Sequence, residues 1–137
     1  MTHSQNPNLK DLIIYQKSLD IFKLSRHIAS YVTYDKDILS MHRSSRRIDR
    51  YADRLVIDAL GLVPKIVETE NETNHKQKLK YAKSLRFFID RLYHNTRHLE
   101  SNKSNGSDFI RLLRIEIKKL RIIHRNYVDS IIHPKKK

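Results

Sequence analysis

The chain has no cysteine, two glycines and three prolines in 137 residues. Without cysteine there is no disulfide, no thiolate ligand for zinc and no thiol nucleophile, the profile of an intracellular protein. Two glycines cannot build a phosphate-cradling loop or a dinucleotide fingerprint, each of which needs several in close order. So few glycines and prolines leave little material for turns, which argues against an all-β chain and for long helices. No apolar run approaches the roughly 18 residues of a membrane span. The polar start MTHSQNPN does not read as a secretory signal, so the expected compartment is the cytoplasm.

Acidic residues are scarce in one half only. From His75 to Leu99 seven Lys/Arg face one Asp, and from Ser107 to Lys137 nine Lys/Arg face three acids. Each stretch carries +6, so together they supply +12 of the formal +13, while residues 1–74 come close to balance. Charge this lopsided costs a compact domain self-repulsion, and a polyanion is the expected partner.

The chain divides at three polar clusters, centred on residues 33–37, 70–74 and 101–107. Between them lie four segments of helical periodicity, about 9–32, 37–69, 75–100 and 108–132. Asn8, Asp37, Asn74 and Ser107 (or Asp108) are candidate N-caps, able to meet unpaired amides. Long helices with short connections predict an all-α, antiparallel up-down-up-down four-helix bundle. It forms one domain over residues 1–137, with 1–8 and 133–137 as flexible tails.

Placed at 100° per residue, the third segment gathers Tyr81, Ala82, Leu85, Phe88, Ile89, Leu92, Tyr93 and Leu99 on one side. Lys76, Lys80, Lys83, Arg86 and Arg97 take the other. In the fourth segment Phe109, Leu112, Leu113, Ile117, Leu120, Ile123, Tyr127, Val128 and Ile131 form the expected core face. Across from it, Arg111, Arg114, Lys118, Arg121 and Arg125 fall within an arc of about 80°. Successive cations along a helix can follow phosphates and give affinity without reading bases. These ten residues are the candidate nucleic-acid contacts, although any solvated helix shows a charged outer face. No zinc finger or base-stacking sheet is present, so sequence selectivity should be weak.

The second segment has its own basic side, Arg43, Arg46, Arg47, Arg50 and Arg54. Asp49, Asp53 and Asp58 lie at pairing distance in sequence, so solvated or subunit-bridging ion pairs account for that side as well as nucleic acid does. Pro64 removes one helical hydrogen bond and predicts a kink or an early end near Leu60. The first segment is apolar almost all round, the mark of a helix covered on more than one side. Ile13, Tyr15 and Phe22 there, Phe87 among lysines, and Ile115 and Ile122 beside the last basic stripe are candidate subunit contacts. They predict a homo-oligomer; Phe87 could instead stack on a base.

Catalytic constellations are missing. His94 and His98 have the i,i+4 spacing of a metal-binding pair, but no Glu follows His94 and no third ligand is evident, so no metal or other cofactor is expected. Glu116 and His124 read as a satisfied buried polar pair or as polar residues at the edge of the core. Acid–base catalysis needs two titratable groups beside a pocket. The expectation is a non-enzyme, with a small helical mutase that holds a dicarboxylate through arginines as the enzymatic alternative. Membrane-surface binding fits poorly, because the apolar faces are needed for the core.

The opening run Asn8–Ile28, with Tyr15-Gln16-Lys17-Ser18-Leu19 at its centre, resembles the first helix of a family of small bacterial four-helix-bundle proteins. Its members include proteins encoded in ribosomal-RNA intervening sequences and the accessory variability determinant (Avd) of diversity-generating retroelements. The run from Lys83 to Leu92 resembles the Leu/Arg-rich third helix of Avd-type members, and Glu116–Leu120 is similar to the start of their last helix. The chain lacks the Asn-Ile-Ala-Glu-Gly-like stretch of the intervening-sequence branch and the glycines and tryptophan of the last Avd helix. The resemblance implies a homopentameric ring of bundles that binds RNA and DNA and docks a reverse transcriptase. The expected function is therefore an Avd-like accessory protein. The alternative is a ribosomal-RNA-associated or scaffold bundle with no reverse-transcriptase partner.

Overall fold

The structure, a computed structural model, describes residues 9–33, 39, 46–101 and 107–134. A 3₁₀ turn, Leu9–Asp11, leads into four long helices: α1 (Ile13–Val32), α2 (Arg47–Asn71), α3 (His75–Ser101) and α4 (Ser107–Ile132). Among the described residues there is no strand, and no helix is long and apolar enough to cross a membrane. Each helix packs against two others, α1 on α2 and α4, and α3 on α2 and α4, which closes the set into a four-helix bundle.

Cross-helix contacts fix the directions. Tyr51, Asp58 and Lys65 of α2 meet His98, Asn95 and Tyr81 of α3 in reverse order. Ala82, Asp90 and Glu100 of α3 meet His124, Arg121 and Arg114 of α4, again reversed. Lys17 and Tyr31 of α1 meet Glu116 and Phe109 of α4. The topology is up-down-up-down, as the short connections predict.

The core is built from the periodic faces. Ile14, Ile21 and Ile28 of α1 meet Leu55, Leu62 and Ile66 of α2, Leu85, Ile89 and Leu92 of α3, and Ile110, Leu113 and Ile117 of α4, all essentially without solvent contact. Fully burying one such side chain stabilises the fold by about 1.5–3 kcal/mol, which makes this layer the main source of stability. At the start of α3, Asn74 accepts a hydrogen bond from the Gln77 amide at 2.9 Å, the expected cap. The α4 helix begins at Ser107 itself, and Leu12 occupies the N-cap position of α1. The candidate caps Asn8 and Asp37, the residue Arg43 and the segment 40–45 lie outside the described residues.

Three expectations need correction. Of the kink or early end expected near Leu60, the early end does not occur: α2 runs through Pro64 to Asn71. Pro64 and Leu60 are both exposed, so the carbonyl left without an amide partner faces water rather than the core. Phe109 and Leu112 do not join the core face of α4 but stay 39% and 46% exposed. Phe109 packs instead edge-on against His27 of α1, with ring centroids 5.6 Å apart. The aspartates of α2 are not solvated: Asp49, Asp53 and Asp58 are all buried, although Asp49 still reaches the exposed Arg46 at 3.9 Å with the expected i,i+3 spacing.

Candidate nucleic-acid interface

The two basic stripes meet. On α3, Lys83, Arg86 and Arg97 stand on the side that faces α4; on α4, Arg111, Arg114, Lys118, Arg121 and Arg125 stand on the side that faces α3. Because the helices run antiparallel, Lys83 and Arg86 come beside Arg125, and Arg97 comes beside the Arg114 turn. The result is a single basic seam along the α3/α4 junction. Lys76 and Lys80 extend it as exposed side chains at the start of α3.

Acids interrupt the seam at three points. Asp90 accepts from the Arg86 Nε at 2.8 Å and from an Arg121 guanidinium nitrogen at 3.2 Å. Arg121 also lies over the Tyr93 ring, its Cζ 4.3 Å from the centroid, so stacking and an ion pair both fix it. Glu100 holds Arg114, and both are half-buried. Arg111 reaches Asp108 at a looser 3.6 Å on an exposed face. These four arginines are therefore partly neutralised. Lys76, Lys80, Lys83, Arg97, Lys118 and Arg125 are exposed and make no ion pair among the described residues.

One end of the seam opens into a recess of about 550 Å³ lined by Lys83, Arg86, His124, Arg125, Asn126, Val128, Asp129 and Ile132. The His124 Nε2 lies 2.7 Å from the Ala82 carbonyl oxygen; a carbonyl only accepts, so this nitrogen carries the proton and donates. Burial is the main reason its imidazole holds a proton less readily than usual, and nearby Arg86 adds to that effect. The recess thus has His124 fixed in its floor and Lys83, Arg86 and Arg125 around it, with Asp129 the one acid among the described residues that line it.

Glu116 and His124 do not form a pair with each other. Glu116 accepts from the Lys17 Nζ at 2.6 Å and from Lys119 at 3.1 Å, tying α1 to α4. The Lys17 bond is the main reason its carboxyl stays below the ordinary range. His94 and His98 face one another with Nε2 atoms 2.9 Å apart. Among the described residues no three His, Asp or Glu side chains gather as metal ligands.

Of the candidate subunit contacts, Ile13 (63%), Phe87 (61%), Ile115 and Ile122 are exposed. Tyr15 and Phe22 are only partly exposed, each packed against the protomer's own core. Phe87 is covered in part by Arg91, whose Cζ lies 5.3 Å from the ring centroid.

The partners of the seam arginines were only half visible in advance. Asp90 follows Arg86 at i,i+4, a spacing that signals pairing. Glu100 gives no such signal, because its partner sits on another helix. On α2 the i,i+3 and i,i+4 spacing of arginines and aspartates does not reveal that Asp49, Asp53 and Asp58 are buried.

No family model matches the chain, and neither curated proteins nor solved structures yield a match. The likeness to the Avd and intervening-sequence group rests on the quoted motifs alone.

Proposed function

We propose that the protein is a non-enzymatic nucleic-acid-binding accessory protein whose α3/α4 seam grips a phosphodiester strand. The observation that carries this reading is the convergence of both basic stripes on one junction, where Lys83, Lys118, Arg97 and Arg125 stand exposed without carboxylate partners among the described residues. Repulsion among like charges held this close is relieved when phosphates replace their counterions. The cations are spread along the seam, which suits a strand carrying its charge at intervals. The seam's cations are spaced along the helices to follow phosphates, and phosphate contacts carry no sequence information, so affinity is expected to outweigh sequence selectivity. The family likeness adds a reverse transcriptase as partner and a pentameric ring, with Ile13, Phe87, Ile115 and Ile122 as the exposed apolar side chains available between subunits; the cytoplasmic setting rests on the composition alone. Light scattering on the free protein reads that subunit number.

The test is an anisotropy titration of labelled single-stranded RNA and DNA oligonucleotides across a salt series. The logarithm of affinity should fall linearly with the logarithm of salt, with a slope of about −3 to −5, close to 0.7 per neutralised phosphate on a single strand. A flat salt response would remove the phosphate-gripping role.

A further inference from the structure

A second basic site lies on the opposite flank of α3, built differently from the seam. Arg47, Arg50, Tyr51 and Arg54 of α2 line one recess of about 380 Å³. All three arginines are exposed and form no ion pair among the described residues. The acids that could have neutralised them are turned into the core. Asp58, the acid whose charge Arg54 feels, gives its oxygens to Arg91 at 3.0 Å and Asn95 at 3.0 Å.

The wall of the recess is aromatic and fixed. Tyr51 stacks flat on His98 of α3, with centroids 4.4 Å apart and planes 9° from parallel, and Arg54 lies 5.9 Å from the Tyr51 ring. His98 in turn meets His94 edge-on. The proton affinity of His98 is lowered first by desolvation, then by His94, Arg54, Arg97 and Arg47, so the positive potential of these residues reaches the stacked ring.

We infer that the α2 recess binds a compact oligophosphate group, either free or at the 5′ end of an RNA, through Arg47, Arg50 and Arg54. A diester strand carries one charge per phosphate and suits cations strung out along a seam. Three guanidinium groups around one recess suit several charges at a single point, and guanidinium forks match phosphate oxygens in bidentate geometry. This site does not depend on the α3/α4 seam, because it uses different residues and answers to a different probe.

The experiment titrates inorganic pyrophosphate into the full chain at fixed ionic strength and follows the histidine ring signals by NMR. Pyrophosphate should bind more tightly than orthophosphate and raise the titration midpoint of His98, since it adds negative charge beside Arg47 and Arg54 of α2 and His94 and Arg97 of α3. Arg50→Gln with Arg54→Gln should weaken pyrophosphate at least about tenfold, as expected for losing charge-assisted bonds. Lys118→Glu with Arg125→Glu should leave it within about twofold, since that pair lies on the other flank. Circular dichroism confirms that both variants keep their helices. An RNA bearing a 5′-triphosphate, compared with its 5′-hydroxyl counterpart, separates the sources: a preference lost in the Gln variant assigns the RNA end, and its absence alongside pyrophosphate binding assigns the free ion. Equal binding of orthophosphate and pyrophosphate, or pyrophosphate binding untouched by the Gln pair, overturns the site.

Discussion

Replacing Lys83, Lys118 and Arg125 together with Glu is expected to lower oligonucleotide affinity at least about a hundredfold at low salt and to flatten the salt slope by about 2. The choice of these three follows from their surroundings. Each is exposed, each lies on the seam and none is held by an acid among the described residues, so reversal changes the field without breaking a contact. Arg114 and Arg121 would be poor probes. A Glu at either position would sit against Glu100 or Asp90 and disturb the packing of α3 on α4, confounding binding with stability. The triple variant should retain full helicity. Affinity unchanged in a folded triple variant would move the contact surface off the seam.

Asp58→Ala is expected to destabilise the fold by about 2–3 kcal/mol, because truncation leaves the buried Asn95 amide without its acceptor and opens a cavity. Asp58 sits within the α2/α3 packing, where Asn95 donates to one oxygen and Arg91 meets the other. Asp58→Asn keeps the shape and an acceptor, and should stay within about 1 kcal/mol of the native protein. The pH dependence separates charge from shape. Burial is the main reason the Asp58 pKa is raised above 3.8, with Arg91 and Asn95 opposing it. The folded state therefore holds this proton more tightly than the unfolded state. The contribution of Asp58 is greatest in acid and declines as pH rises from the ordinary value through the raised one. Asp58→Asn removes that decline. Denaturant melts across this range measure it; an Ala variant as stable as the native chain would mean that the polar bridge contributes nothing.

The four helices and their core faces were legible because burial repeats every 3.6 residues, and the long apolar stripes of α3 and α4 leave little room for another register. Ile117, Leu120 and Leu85 fall where periodicity places them. The margins of those stripes were not legible. Leu112 lies at the edge of the α4 arc, and Phe109 sits at the end of the helix, where neighbouring elements taper and rings from α1 meet it instead. Pro64 misled for a related reason: a proline ends a helix only where its missing donor cannot be spared, and on the outer side of α2 it can. The seam itself followed from two wheels and an antiparallel topology. Its acid partners did not, since whether Glu100 reaches Arg114 depends on the register between helices. The α2 recess was obscured by three aspartates close in sequence whose side chains turn inward.

The central claim is that the α3/α4 junction is where a nucleic-acid strand lies. Chemical-shift mapping of the isotope-labelled protein with a short single-stranded oligonucleotide tests it most directly, because it locates contact without altering a residue. The account predicts perturbations concentrated at Lys83, Arg97, Lys118 and Arg125, fading as salt is raised. Perturbations confined to α1 and the outer side of α2, with the junction silent, would contradict it.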